Sequence, residues 1–140
     1  MNTFFHLSLP CKDIKQTTNF YQNTIGINIG RTSDNWIDVN LFGHQVTFTQ
    51  AGKFKFNSPN YIFEGNILPS FHFGIIIESN KWNELYSRLS KLDVEIVNKI
   101  HFLIDEKGEH TSFFIKDPDG YMIEFKTFKN KAEVFKAGNS

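Results

Sequence analysis

The order strand, helix, strand, strand, strand is written into residues 3–50 and returns in residues 70–128. No other feature constrains this chain as much, because one such module alone is too small to bury a substantial core. Two copies must therefore pack together, sheet inward and helices outward. In the first copy, Phe4 to Leu9 alternates, with Phe5, Leu7 and Leu9 on one face and Phe4, His6 and Ser8 on the other, until Pro10 ends the run. Asp13 is placed to cap a helix reaching about Ile25, with Ile14, Thr17, Phe20, Tyr21 and Ile25 as its apolar stripe and Gly26 as its stop. Strands over 27–33 and 36–42 flank the turn dipeptide Asp34-Asn35, and Gly43-His44 turns the chain into a strand over 45–50.

The second copy begins with a strand over 71–77, bounded by Ser79-Asn80 as a cap. A helix follows, marked by Trp82, Leu85, Leu89 and Leu92 three and four residues apart. A strand is expected over 94–97 with 100–104 as its continuation, then, after the charged loop Asp105–Glu109, strands over 111–116 and 121–125. The last two are joined by Asp117-Pro118-Asp119-Gly120, where Pro fixes φ and Gly accepts a left-handed conformation. Between the copies, Gly52, Asn57, Pro59, Gly65 and Pro69 punctuate a linker or mobile flap whose Phe54, Phe56, Tyr61 and Phe63 are candidates to cover a site. The expectation is one α+β domain over 1–128, with module one at 3–50, a linker at 51–69, module two at 70–128 and a polar tail at 129–140.

Composition narrows the function classes. Lys and Arg total 15, matched by 15 Asp and Glu, so no basic field exists to attract nucleic acid or an anionic membrane. A single cysteine, Cys11, excludes an internal disulfide framework. No apolar run approaches the roughly 18 residues needed to span a bilayer, and the start carries no basic n-region, so a cytoplasmic protein is expected. The 16 Phe residues fit either a Phe-rich core or a pocket walled by aromatic rings.

Three residues carry the chemistry. His6 and His72 lie in the first strands of the two modules, each bracketed by Phe or Leu, and Glu124 interrupts the apolar run Tyr121-Met122-Ile123-Glu124-Phe125. A carboxylate inside such a run is costly unless it meets a partner, a cation or water. If the modules superpose, two imidazoles and one carboxylate can hold a divalent transition metal with positions left open. Separately hydrogen-bonded histidines and a surface glutamate are the alternative reading. No glycine-rich phosphate loop, nucleophile elbow or cysteine pair is present.

Phe4-Phe5-His6-Leu7-Ser8-Leu9-Pro10, Phe20-Tyr21, Ile25-Gly26, Phe71-His72-Phe73-Gly74 and Asp117-Pro118-Asp119-Gly120 with Glu124 together resemble the vicinal oxygen chelate superfamily. That group includes glyoxalase I, bleomycin-resistance proteins and extradiol ring-cleaving dioxygenases. The resemblance implies paired βαβββ modules forming an open, U-shaped mixed sheet around a metal, commonly as a homodimer. It implies His6, His72 and Glu124 as metal ligands. Aligning the two modules on Gly43 and Gly120 sets Thr47, a poor ligand, opposite Glu124, with Gln45 and Thr49 on its face. Gln45 and Thr47 are then substrate-pocket candidates, and the three-ligand pattern points to a ring-cleaving dioxygenase acting on a small vicinal-dioxygen substrate. Fe2+ is the favoured ion, with Mn2+, Zn2+, Ni2+ or Co2+ as alternatives. A glyoxalase I-type lyase and a non-catalytic bleomycin-resistance-like binder are the other functions implied. His110 is the candidate acid or base beside the metal and His101 a weaker one, the alternative for both being loop histidines facing solvent.

Overall fold

The computed structural model describes residues 3–137, apart from the side chain of Asn98. It divides into two compact units: the chain up to Asn57 together with Asp117–Gly120, and Ser58–Lys116 together with the chain from Tyr121 onward. Each unit holds a four-stranded mixed sheet and a helix, so the α+β class and the repeated element order are both present.

The first unit contains β1 (His6–Cys11), α1 (Ile14–Asn19), β2 (Ile29–Thr32), β3 (Trp36–Leu41) and β4 (His44–Gln50), with sheet order β1-β4-β3-β2. β1 runs parallel to β4, pairing His6 with Gln45 and Ser8 with Thr47, while β3 and β4 are antiparallel, pairing Asp38 with Thr47. Asp13 caps α1 as the sequence predicts, accepting from the N–H groups of Lys15 and Gln16. Beyond Asn19 the helix widens into a π-helical segment, Phe20–Ile25, closed by Gly26 at φ 86°. The wider turn keeps Thr17, Tyr21 and Ile25 on one buried line although they are spaced four apart. The Tyr21 ring packs 4.8 Å from that of Phe48 in β4. The Asp-Pro-Asp-Gly turn belongs to this unit and acts as its polar hub. Tyr21 Oη donates to Asp117 Oδ2 at 2.9 Å, and the Lys12 N–H donates to Asp119 Oδ1 at 2.8 Å. Both carboxylates are buried, so these bonds compensate a desolvation that would otherwise oppose folding. Cys11 is fully buried, and that burial pushes its thiol pKa up, which makes it a core residue rather than a nucleophile.

The second unit contains β5 (Asn60–Phe63), β6 (Asn66–Pro69), β7 (Phe73–Ile76), α2 (Ser79–Leu89), β8 (Ile96–Phe102), β9 (His110–Lys116) and β10 (Met122–Phe128). Its sheet order, β7-β10-β9-β8, with β7 parallel to β10, repeats that of the first unit. One face of this sheet carries Phe113, Ile115, Ile123 and Phe125 toward α2, whose Trp82 indole donates to the Phe125 carbonyl at 2.8 Å. The other face carries Phe114, Met122 and Glu124, as the pleat requires.

Several boundaries differ from the sequence reading. β1 starts at His6 rather than Phe4 and runs through Pro10 to Cys11 rather than ending at Pro10, and His72 lies one residue before β7 instead of inside the strand. The turn into β4 is centred on Phe42 and Gly43, at φ 51° and 94°, and His44 already belongs to the strand. α2 is capped at Glu78, without a side-chain cap bond, rather than at Ser79-Asn80. The strand expected over 94–104 runs from Ile96 to Phe102 as β8, with a register irregularity between Ile96 and Asn98. Residues 60–69 of the expected linker form an antiparallel hairpin that docks Leu68 against Phe102, Phe114 and Met122. The start of the polar tail is likewise ordered: Lys129 pairs with Glu109, and a short 3-10 turn spans Lys131–Glu133. No described helix is long and apolar enough to cross a membrane.

Candidate metal centre

Glu124 projects from the middle of β10 and is 8% exposed. Its position is set by an unusually close backbone approach. Gly74 pairs with Glu124 across the parallel ladder, and a Cβ on Gly74 would lie 1.7 Å from the Glu124 carbonyl oxygen. Only glycine allows β7 to lie this close. His72, two residues earlier, is thereby delivered to the Glu124 carboxylate, with Nε2 3.1 Å from Oε2. Ser112 Oγ donates to Glu124 Oε1 at 2.7 Å, and the Lys126 ammonium lies 3.5 Å from the same oxygen. The His72 ring meets Phe114 edge-on, with centroids 5.4 Å apart.

The other ring nitrogen of His72 makes the pair informative. Nδ1 lies 2.9 Å from the Pro69 carbonyl oxygen, which can only accept, so Nδ1 carries a proton. In a neutral ring, the Nε2 lone pair would then face a carboxylate lone pair. Either a second proton or a metal cation must lie between them. In the metal-free protein the contact favours a proton there: the hydrogen bond to Glu124 raises the His72 pKa, against the lowering effect of burial. Burial pushes the Glu124 carboxyl up, but His72, Lys126 and Ser112 together outweigh it and hold the pKa below the ordinary value.

The same pair suits a divalent metal. An imidazole whose far N–H is fixed by a backbone carbonyl is the usual arrangement of a metal-ligating histidine. His72 Nε2 and Glu124 Oε2 would hold such a cation between them, an imidazole nitrogen and a carboxylate oxygen being the donors a divalent transition metal takes. The structure thus brings together two of the three predicted ligands. His6 occupies the solvent-facing side of β1, on the face shared by Ser8, Gln45 and Thr47 of the first unit. Among the described residues, no group of three or more His, Cys, Asp or Glu stands close enough to hold a metal.

His110 starts β9 on the same face as Ser112 and Glu124, two cross-strand pairs along. Its ring is held between Phe102 and Phe128, with centroids 5.0 Å away on each side, and Nδ1 donates to the Gly108 carbonyl at 2.7 Å. Burial lowers its pKa, which leaves a neutral ring with Nε2 as an acceptor at pH 7. His101 is committed elsewhere, its Nε2 2.7 Å from Glu109 Oε1. Tyr121 is buried, its ring 6.0 Å from that of Phe71.

The pocket candidates of the first unit bind a residue the sequence reading passed over. Asp38, 4% exposed in β3, accepts from Thr47 Oγ1 at 2.7 Å, Arg31 Nε at 2.8 Å and Gln45 Nε2 at 3.0 Å. Burial raises its pKa but these donors, Thr47 foremost, prevail and keep it ionised. The signal was available: Asp38 interrupts Trp36-Ile37-Asp38-Val39 just as Glu124 interrupts its own strand. Lys126 and Ser112 carried no comparable mark.

The comparisons agree with this architecture. A solved glyoxalase/bleomycin resistance protein/dioxygenase from Alicyclobacillus acidocaldarius superposes with a TM-score of 0.80 at 23% identity, covering 96% of this chain and 97% of that one. The fosfomycin resistance protein FosX from Listeria monocytogenes gives 0.69 at 18% identity, covering 95% and 98%. A variant of that FosX, complexed with Mn(II) and 1S,2S-dihydroxypropylphosphonic acid, gives 0.64 at 19% identity, covering 89% of each chain. No curated protein matches the chain. The family model for the Glyoxalase/Bleomycin resistance protein/Dioxygenase superfamily matches residues 3–125, and the chain belongs to that superfamily.

Proposed function

We propose that this protein is a divalent-metal-dependent enzyme acting on a small substrate with two adjacent oxygen atoms, and that the reaction is cleavage of a catechol-like ring. The observation that carries metal dependence is the His72–Glu124 pair, whose facing lone pairs call for a cation or a proton. His6 is the third protein ligand in this reading, and Fe2+ the favoured ion. When bound, the ion supplies Lewis acidity toward the substrate oxygens and the redox chemistry that dioxygen requires.

The remaining roles fall to the chain itself. Ser112 and Lys126 hold the Glu124 carboxylate ionised and oriented. His110, kept neutral between two Phe rings, takes the proton of a substrate hydroxyl at Nε2. Leu68 of the β5–β6 hairpin packs on the Glu124 face, where it excludes water. A homodimer is the proposed assembly, following the superfamily.

Elemental analysis of protein purified without chelators tests the centre. About one equivalent of metal is expected in the parent, and strong loss in His6→Ala, His72→Ala and Glu124→Ala. Unchanged metal in all three variants would refute the assignment. Oxygen uptake on a catechol panel then tests ring cleavage, and tight binding without turnover would favour the bleomycin-resistance-like binder.

A second reading rests on Lys126. Its ammonium beside the presumed ligand Glu124 suits an anionic substrate, and the Mn(II)-bound FosX neighbour holds a diol phosphonic acid. Phosphorus NMR of fosfomycin incubated with the Mn(II)-loaded protein separates this reading from ring cleavage.

A further inference from the structure

The first unit carries a cleft of about 330 Å³ lined by Phe4, Gly30, Arg31, Asp38, Asn40, His44 and Gln45, among others. That volume is at the lower end for small-molecule sites. We propose that this cleft binds a small planar carboxylate, with the outer edge of the Arg31 guanidinium as its anchor. The inference rests on residues of the first unit alone and does not depend on the metal reading.

The argument begins with what Asp38 has already used. Its two oxygens accept from Thr47, Arg31 and Gln45, so the buried carboxylate has little capacity left for a cation. Arg31 contributes only Nε to that contact. Its guanidinium also lies over the Trp36 ring, 5.3 Å from the centroid. Two contacts therefore restrain a side chain that is 74% exposed, and neither contact uses the terminal N–H groups, which form the fork that takes a carboxylate. A surface arginine otherwise loses much rotamer freedom on binding, and here most of that loss has already occurred.

The neighbouring groups are donors as well. The Phe5 N–H donates to His44 Nδ1 at 3.1 Å, which requires the neutral ring to carry its proton on Nε2. The Gly43 N–H donates to Asn40 Oδ1 at 2.7 Å, which leaves the Asn40 NH2 as the donor end of that side chain. Guanidinium, imidazole N–H and amide NH2 thus line one cleft, with exposed Phe4 as its apolar wall. Such a set matches a flat acid with an apolar body. The Asp38 charge sets the strength: it partly offsets Arg31, so binding in the millimolar range is expected.

The test uses the full chain and three probes, benzoate, benzamide and inorganic phosphate, at constant ionic strength. Amide and Arg side-chain NMR shifts are followed during titration. Benzoate is expected to move Arg31 Nε–H and the Gly30, Gly43 and His44 amides saturably, with benzamide inert and phosphate weaker. Arg31→Gln should weaken benzoate about tenfold, and Arg31→Lys about threefold because the fork is lost. His44→Phe, which leaves the Asp38 contacts intact, should weaken it about threefold and covers the case in which Arg31→Gln unfolds. Equal binding of benzamide, tighter binding of phosphate, or affinities unmoved in all the folded variants would each overturn the proposal.

Discussion

Replacing Gly74 with alanine tests how the Glu124–His72 pair is built. Gly74 does not have a positive φ, so the substitution brings no dihedral penalty and its effect is steric. The new Cβ would meet the Glu124 carbonyl oxygen at 1.7 Å, the carbonyl carbon at 2.6 Å and the amide nitrogen at 2.9 Å, whereas real Cβ contacts stay beyond 3.0 Å. All three are backbone atoms of β10, which is held between β7 and β9 and cannot retreat. β7 is the edge strand and must yield. Overpacking of this kind costs about 1–3 kcal/mol, and one or two weakened ladder hydrogen bonds add about 1 kcal/mol each. A total of about 2–5 kcal/mol corresponds to a drop in Tm of roughly 6–20 °C for a chain of this size. Calorimetry of the metal-free protein gives the first measurement, and NMR titration of the His72 ring gives the second. As β7 moves away, the His72 pKa should fall back toward its unperturbed value. Gly52→Ala is the control: its φ is +75° with nothing within 4 Å of a Cβ, so it should cost only about 1 kcal/mol of backbone strain. A Gly74→Ala protein melting within about 2 °C of the parent, with an unchanged His72 titration, would refute the close-approach argument.

In metal-free protein, the raised pKa of His72 stabilises the fold fully below about pH 6.5, and this is lost as pH climbs through the folded value. The lowered pKa of Glu124 stabilises above about pH 4.5 and is lost as pH falls through its own folded value, so urea midpoints should be highest between these limits. Added Mn(II) should reverse the upper limb, its stabilising increment growing with pH because cation and proton compete for Nε2; an increment independent of pH would count against the site. Asp119→Ala orphans the Lys12 amide and removes the Thr17 contact, and should cost about 2–4 kcal/mol in chemical denaturation. Leu68→Ala opens a cavity against Phe102, Phe114 and Met122, costing about 2–4 kcal/mol and speeding proteolysis within the β5–β6 hairpin.

What the sequence made legible was whatever periodicity and turn chemistry encode. The Asp13 cap, the Gly26 stop and the Asp-Pro-Asp-Gly turn all act locally, and all appear where they were expected, while β1 is shifted along the chain by two residues at its start. The β5–β6 hairpin was not legible, because Gly65 and Pro69 read as loop punctuation while the strands owe their order to Leu68 docking on residues far along the chain. The π-helical widening after Asn19 has a similar origin, since it serves tertiary burial of Tyr21 and Ile25 rather than local propensity. At the candidate site, Glu124 announced itself as a charge in an apolar strand, and His72 by its place in the repeat. Their pairing depends on Gly74, whose role is visible only when two backbones are laid side by side. His110 gave no sign that two Phe rings would enclose it, because Phe102 and Phe128 come from strands on either side of its own.

Asp38 sets a second test of the proposed centre. The two modules each bury one carboxylate in a sheet, but in different chemical states. Glu124 accepts from one hydroxyl and faces an imidazole and an ammonium, with the imidazole proton replaceable by a cation. Asp38 accepts from a hydroxyl, an amide and a guanidinium, and a metal would have to displace these three donors to reach it. Thr47, which stands at the position equivalent to Glu124, is itself spent on Asp38. On the proposed ligand set the centre therefore has one carboxylate, Glu124. The consequence is measurable with conservative substitutions. Glu124→Gln should lower metal affinity by about 10–100-fold, whereas Asp38→Asn should leave it within about twofold while lowering Tm through the lost Arg31 contact. Equal loss of metal in both variants would mean that Asp38 exchanges its donors for the ion, and that the centre has two carboxylates rather than one.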